Sequence, residues 1–163
     1  MPMSMLELCQ WISNTQVGTF IRESSWSFPI ILGLHSLGLS LSVGTLFWFD
    51  LRLLGFIMRR QRVSEVYRQL MPWMMSGFVL MFITGGLLFW SQAEFVYEDV
   101  YFRIKMLLLP LAGANALAYH LLTERTRAAW DDRAVPPRPA RLAGVFSIVL
   151  WTAIIVMGRR ILI

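Results

Sequence analysis

His35 and His120 are the only histidines among the 163 residues. Imidazole is the usual protein ligand for iron, copper and zinc. His35 lies in the stretch 28–49, which is apolar or small throughout and carries no formal charge. An ionisable side chain in such a stretch is costly in a bilayer and marks a functional site. The alternative is a neutral ring hydrogen-bonded to a neighbour such as Thr84 or Ser42. His120 has Glu124 as its i+4 neighbour on a helix. With Asp50 and Arg52 it predicts a polar cluster that fastens two helices at one membrane face.

The elements that carry these residues follow from composition. The chain is 56% hydrophobic and 15% charged, well outside the soluble norm. Uncharged windows occupy 28–49, 69–93, 106–123 and 142–158, and crossing a bilayer takes about 17–25 such residues. Each window is apolar all round, which excludes a barrel of alternating strands. The prediction is an all-α single domain, 1–163, folded as a four-transmembrane-helix bundle. Spans are expected at about 27–50, 69–92, 104–124 and 142–160. An amphipathic helix at about 3–21, with Met5, Cys9, Ile12, Gln16 and Phe20 on one face, is expected to lie in the interface. The N-terminus holds Glu7 and no Lys or Arg, so the first span is expected to be retained. One cysteine, Cys9, excludes an intrachain disulfide and a cysteine metal cluster.

The net charge of +5 reads as topology rather than nucleic-acid affinity. Arg52, Arg59, Arg60, Arg62 and Arg68 follow the first span; Arg125, Arg127, Arg133, Arg138 and Arg141 follow the third. Basic loops stay cytoplasmic. Both termini are then expected in the periplasm, with the chain in a bacterial inner membrane.

Helical rise of about 1.5 Å per residue places each polar group by depth. His35 falls about 10 Å below the outer face and His120 about 22 Å below it, a separation of about 12 Å. One ion shared between them is therefore disfavoured. At the His35 level lie Gly85, Gly86 and Gly113, with Gly38 one turn along the first span, and Met157 on the fourth. Lys105, Arg159 and Arg160 lie just beyond. This set predicts a b-type haem with His35 as axial ligand and Met157 or His120 as the second. Gly38, Gly85, Gly86 and Gly113 would give the macrocycle space, and the cations would neutralise the propionates. Close helix packing through small residues is the competing role for the glycines. Phosphate-binding glycine loops, HExxH, CxxC and nucleophile elbows are absent from the sequence.

Several local patterns occur together. Phe28-Pro29, His35-Ser36-Leu37-Gly38-Leu39 and Asp50-Leu51-Arg52-Leu53-Leu54-Gly55 stand in and around the first span. Thr84-Gly85, Lys105-Met106-Leu107-Leu108-Leu109, Asn115, Tyr119-His120 and Gly158-Arg159 come later in the chain. Over nearly the whole chain these resemble an uncharacterised family of small bacterial four-helix membrane proteins. More remotely, the first-span histidine with Lys105 and Tyr119-His120 resembles the copper-resistance CopD and HemJ group. That resemblance implies haem with porphyrinogen oxidation, or copper handling. The chain has no Met- and His-rich outer segment, which favours haem over copper.

The resulting expectation is a membrane-embedded b-type haem protein in electron transfer. Its partners would be the lipid bilayer and either redox-complex subunits or a periplasmic electron carrier. The rivals are a haem-dependent porphyrinogen oxidase, a cofactor-free accessory subunit and a copper transporter.

Overall fold

The computed structural model describes residues 4–161, apart from the side chains of Glu124 and Arg125. Met3, the first residue of the expected interfacial helix, lies outside them. The elements are α1 (Met5–Ser13), α2 (Gln16–Glu23), α3 (Ser27–Leu53), α4 (Val63–Glu98), α5 (Val100–Thr123) and α6 (Arg138–Ile161), with a 3-10 turn at Glu124–Ala129. Helices α3 to α6 are each long and apolar enough to cross a membrane. The protein is a multi-pass helical membrane protein. One end of the bundle, the termini end, carries α1, α2 and the α4–α5 turn. The other, the loop end, carries the long α3–α4 and α5–α6 loops.

The N-terminal segment is two short helices rather than one. Ser4 and Glu7 form a reciprocal capping box that starts α1, with Ser4 N donating to Glu7 Oε2 at 2.7 Å and Glu7 N to Ser4 Oγ at 3.2 Å. Thr15 then caps α2 by accepting from Gly18 N at 3.3 Å. Gly18 permits the corner, since a Cβ there would stand 2.6 Å from Ser13 O. The pair is fastened across α4: Trp90 Nε1 donates to Thr15 Oγ1 at 2.8 Å, and Gln10 Nε2 to Glu94 Oε1 at 2.9 Å. Arg22 Nη1 donates to Ser91 O at 3.3 Å. These contacts bracket Gln92, where α4 leaves helical geometry (φ −135°, ψ 27°).

At the loop end α3 stops in a Schellman motif. Phe56 N donates to Leu51 O at 3.0 Å and Gly55 N to Arg52 O at 3.0 Å, with Gly55 at φ +77°. The backbone there needs glycine. Helix α4 begins six residues before the expected span because Asp131, from the α5–α6 loop, caps it in trans. Ser64 N donates to Asp131 Oδ1 at 2.8 Å and Ser64 Oγ to Oδ2 at 2.5 Å. Val63 and Val66 are thereby buried with Phe49, Leu53, Tyr119, Trp130 and Ala140.

Helix α3 packs along α4 and α5 along α6, with α3 also touching α6. The sequential pair α4 and α5 meets only sparingly. Asp99 is the sole residue between them, and Phe89 stacks on Phe102 beside it with ring centroids 5.5 Å apart. Around the bundle the order is therefore α4, α3, α6, α5, with an opening between the last and the first.

The α3–α4 seam is the tightest contact. A Cβ on Gly77 would lie 2.5 Å from Ser42 N, and one on Gly38 would lie 2.9 Å from Met81 N. Membrane helices lack a hydrophobic drive to associate and rely on such backbone approach. Gly77→Ala is expected to destabilise the bundle by about 1–3 kcal/mol through overpacking. The same change at Gly44, where a Cβ would meet nothing within 4 Å, should be silent. Thermal unfolding in detergent micelles compares the two.

Candidate functional site

His35 is seated between α3 and α4. Its Nδ1 lies 3.0 Å from Met81 O and 3.1 Å from Thr84 Oγ1. A carbonyl can only accept, so Nδ1 carries the proton. The Thr84 hydroxyl already donates to Leu80 O at 2.6 Å, and its oxygen accepts from the ring. Both contacts are thus satisfied by one tautomer, which leaves Nε2 with its lone pair. This is the arrangement by which metal-binding histidines are oriented: one nitrogen donates to a carbonyl, and the other is presented. Gly85 makes the seat, because a Cβ there would stand 3.0 Å from His35 Cε1.

The glycines expected to make space for a macrocycle divide. Gly38 does not serve, because the α4 backbone fills the volume beside it. The space beside Gly85 is occupied by the imidazole itself. Gly86 faces open space, and so does Gly113 on α5, which lines a cleft together with Phe82 and Ile83 of α4. Lys105 lies within electrostatic reach of His35. Its Nζ stands 3.4 Å from where a Gly158 Cβ would be, so the missing side chain on α6 admits the ammonium. Met157 is half-buried, and Arg159 and Arg160 are exposed at the same end of α6.

His120 is elsewhere. Its Nε2 faces Tyr67 Oη at 3.5 Å. Thr84 and Tyr67, the α4 residues that meet the two histidines, are seventeen residues apart. That is about 25 Å of helix, wider than the 12 Å expected. His120 cannot be a second ligand to an iron held by His35. The expected His120–Glu124 pairing involves a side chain outside those described.

The loop end holds a second polar constellation. Arg52 is 0% exposed. Its Nε and Nη2 donate to Gln61 O at 3.2 and 2.7 Å, and Nη2 also reaches Arg133 O at 3.1 Å. One guanidinium therefore ties both long loops to α3. Asp50, 2% exposed, faces Ser147 of α6. The Arg127 guanidinium lies over the rings of Tyr67 and Tyr119, 5.9 and 6.0 Å from their centroids. Asp50 Oδ2, Arg52 Nη1, Tyr119 Oη and two nitrogens of Arg127 are buried there without a hydrogen-bond partner among the described residues. Asp50 and Arg52 were expected in this cluster from the sequence; Tyr67, Tyr119, Arg127 and Asp131 were not. Asp131 and Asp132 were the available signal, as acids inside an otherwise basic loop.

Among the described residues no group of three or more His, Cys, Asp or Glu side chains could hold a metal ion. No protein-family model, curated protein or solved structure matches the chain.

Arg52→Ala would strand the Gln61 and Arg133 carbonyls. A cost of about 2 kcal/mol or more is expected for hydrogen bonds to a charged donor. Limited trypsin digestion should then cut at Arg59 and Arg60 faster than in the parent protein, with the transmembrane helices still protected.

Proposed function

We propose that this chain is a b-type haem protein of the bacterial inner membrane that carries electrons, with His35 Nε2 as the axial ligand. The observation that carries the reading is the Met81 carbonyl behind the ring. It fixes the tautomer and leaves the ligating nitrogen unprotonated. Donor chemistry favours haem over a bare ion. A macrocycle brings four nitrogen ligands of its own, so one imidazole suffices, whereas a bare ion needs several side-chain donors, and the described residues gather no group of three or more His, Cys, Asp or Glu.

Gly86, the residue after Gly85 on α4, faces open space, which would leave room for a flat group. Lys105, Arg159 and Arg160 would take the propionates at the termini end. Met157, half-buried on α6, would be the candidate for a second ligand. When bound, the haem supplies a one-electron couple; the protein's part is to hold the imidazole, exclude water and pair the carboxylates. The basic loops argue for a cytoplasmic loop end and periplasmic termini. A redox-complex subunit or a periplasmic carrier would then exchange electrons at the end nearer His35.

A second reading has its own support. Both bonds at Nδ1 are internal, and Gly85 packs against the ring, as in a histidine that only ties two helices. The chain would then be a cofactor-free accessory subunit. A visible spectrum of the purified protein separates the two. A Soret band with sharp reduced α and β bands is expected, lost in His35→Ala and retained in His120→Ala. No band in the parent protein, or equal loss in both variants, would overturn the haem reading.

A further inference from the structure

A cleft of about 650 Å³ opens between α4 and α5, where consecutive helices fail to close on each other. Phe49, Phe78 and Trp151 form its walls, with Phe78 and Trp151 5.2 Å apart between centroids at its floor. Val79, Phe82 and Ile83 stand exposed at its mouth. In a bilayer such a mouth faces acyl chains, so whatever enters arrives dissolved in lipid. The size is that of a small-molecule site.

One end of this apolar cleft is polar. Tyr67, Asn115, Tyr119 and His120 line it. Tyr67 Oη and His120 Nε2 are 3.5 Å apart, too far for a firm bond, so each keeps capacity for a ligand. The Tyr119 ring lines this end, while its hydroxyl is buried away from the cleft surface without a partner among the described residues. Asn115 donates one amide proton to Ala143 O at 2.9 Å, which leaves its carbonyl oxygen as an acceptor. The end therefore offers donors and an acceptor together. No Asp, Glu, Lys or Arg is among the lining residues; Arg127 lies over the Tyr67 and Tyr119 rings but does not itself line the cleft, so a charged head group would enter without a direct counter-charge. A neutral aromatic-sized ring with oxygens, able to accept in one form and donate in another, answers each of these features.

We propose that the α4–α5 cleft binds the ring of a lipid-soluble quinone, with Tyr67 and His120 holding one of its oxygens. The inference rests on the cleft alone and stands whether or not His35 holds haem.

The full chain in lipid nanodiscs, titrated with a decyl-chain benzoquinone and followed by tryptophan fluorescence quenching, tests it. Saturable quenching is expected. His120→Ala should weaken binding about tenfold, the worth of one good hydrogen bond. Gly113→Leu should abolish it, because Gly113 lines the cleft and a side chain there meets no atom within 4 Å. Gly44→Leu, equally open but outside the cleft, should bind as the parent does. Absence of saturable quenching would overturn the proposal. So would unchanged binding in both His120→Ala and Gly113→Leu, or displacement by an equal concentration of palmitate, which would mark a slot for any acyl chain.

Discussion

The hydrogen bond from His35 Nδ1 to the Met81 carbonyl is the constraint on which the rest of the bundle depends. It joins α3 to α4 in the apolar part of the molecule, where an unmet polar group costs several kcal/mol. It sets the tautomer, and with it the chemistry open to Nε2. It also demands that the two helices come close. Gly38, Ser42 and Gly77 let the backbones touch, and Gly85 leaves a hollow into which the ring fits. A bulky residue at any of the three glycines would push α4 away and strand the imidazole.

The same rule governs the loop end by a different device. There Arg52 gathers carbonyls from two loops, and Asp131 caps a helix that has no cap of its own. The bundle is thus locked at both ends: by α1 and α2 across the Gln92 irregularity, and by Arg52 and Asp131 beneath the basic loops. Between the locks, α4 and α5 are free to stay apart, which is what leaves a lipid-facing cleft.

The four spans were legible because twenty or so apolar residues in a row have few other fates. Depth arithmetic on His35 and His120 also held in kind, separating them into different layers. The break at Asn14-Thr15 was hidden because amphipathic spacing continues through it; only the Thr15 cap and the Gly18 corner reveal it. The α4 start was hidden for a stronger reason. Its cap comes from a residue sixty-seven positions away, and no local pattern encodes that. Gly38 and Gly85 were recognised as important, but a sequence shows only that a side chain is missing, not whether backbone, imidazole or cofactor takes its place.

The haem proposal turns on one imidazole nitrogen presented to iron, with the other histidine about 25 Å of helix away. Pulsed electron paramagnetic resonance on the haem-loaded protein with 15N-labelled histidine reads this directly. One histidine nitrogen coupled to the ferric centre is the expected result. Coupling to two histidines would contradict the separation along α4. Coupling to none would leave His35 as a tie between two helices and nothing more.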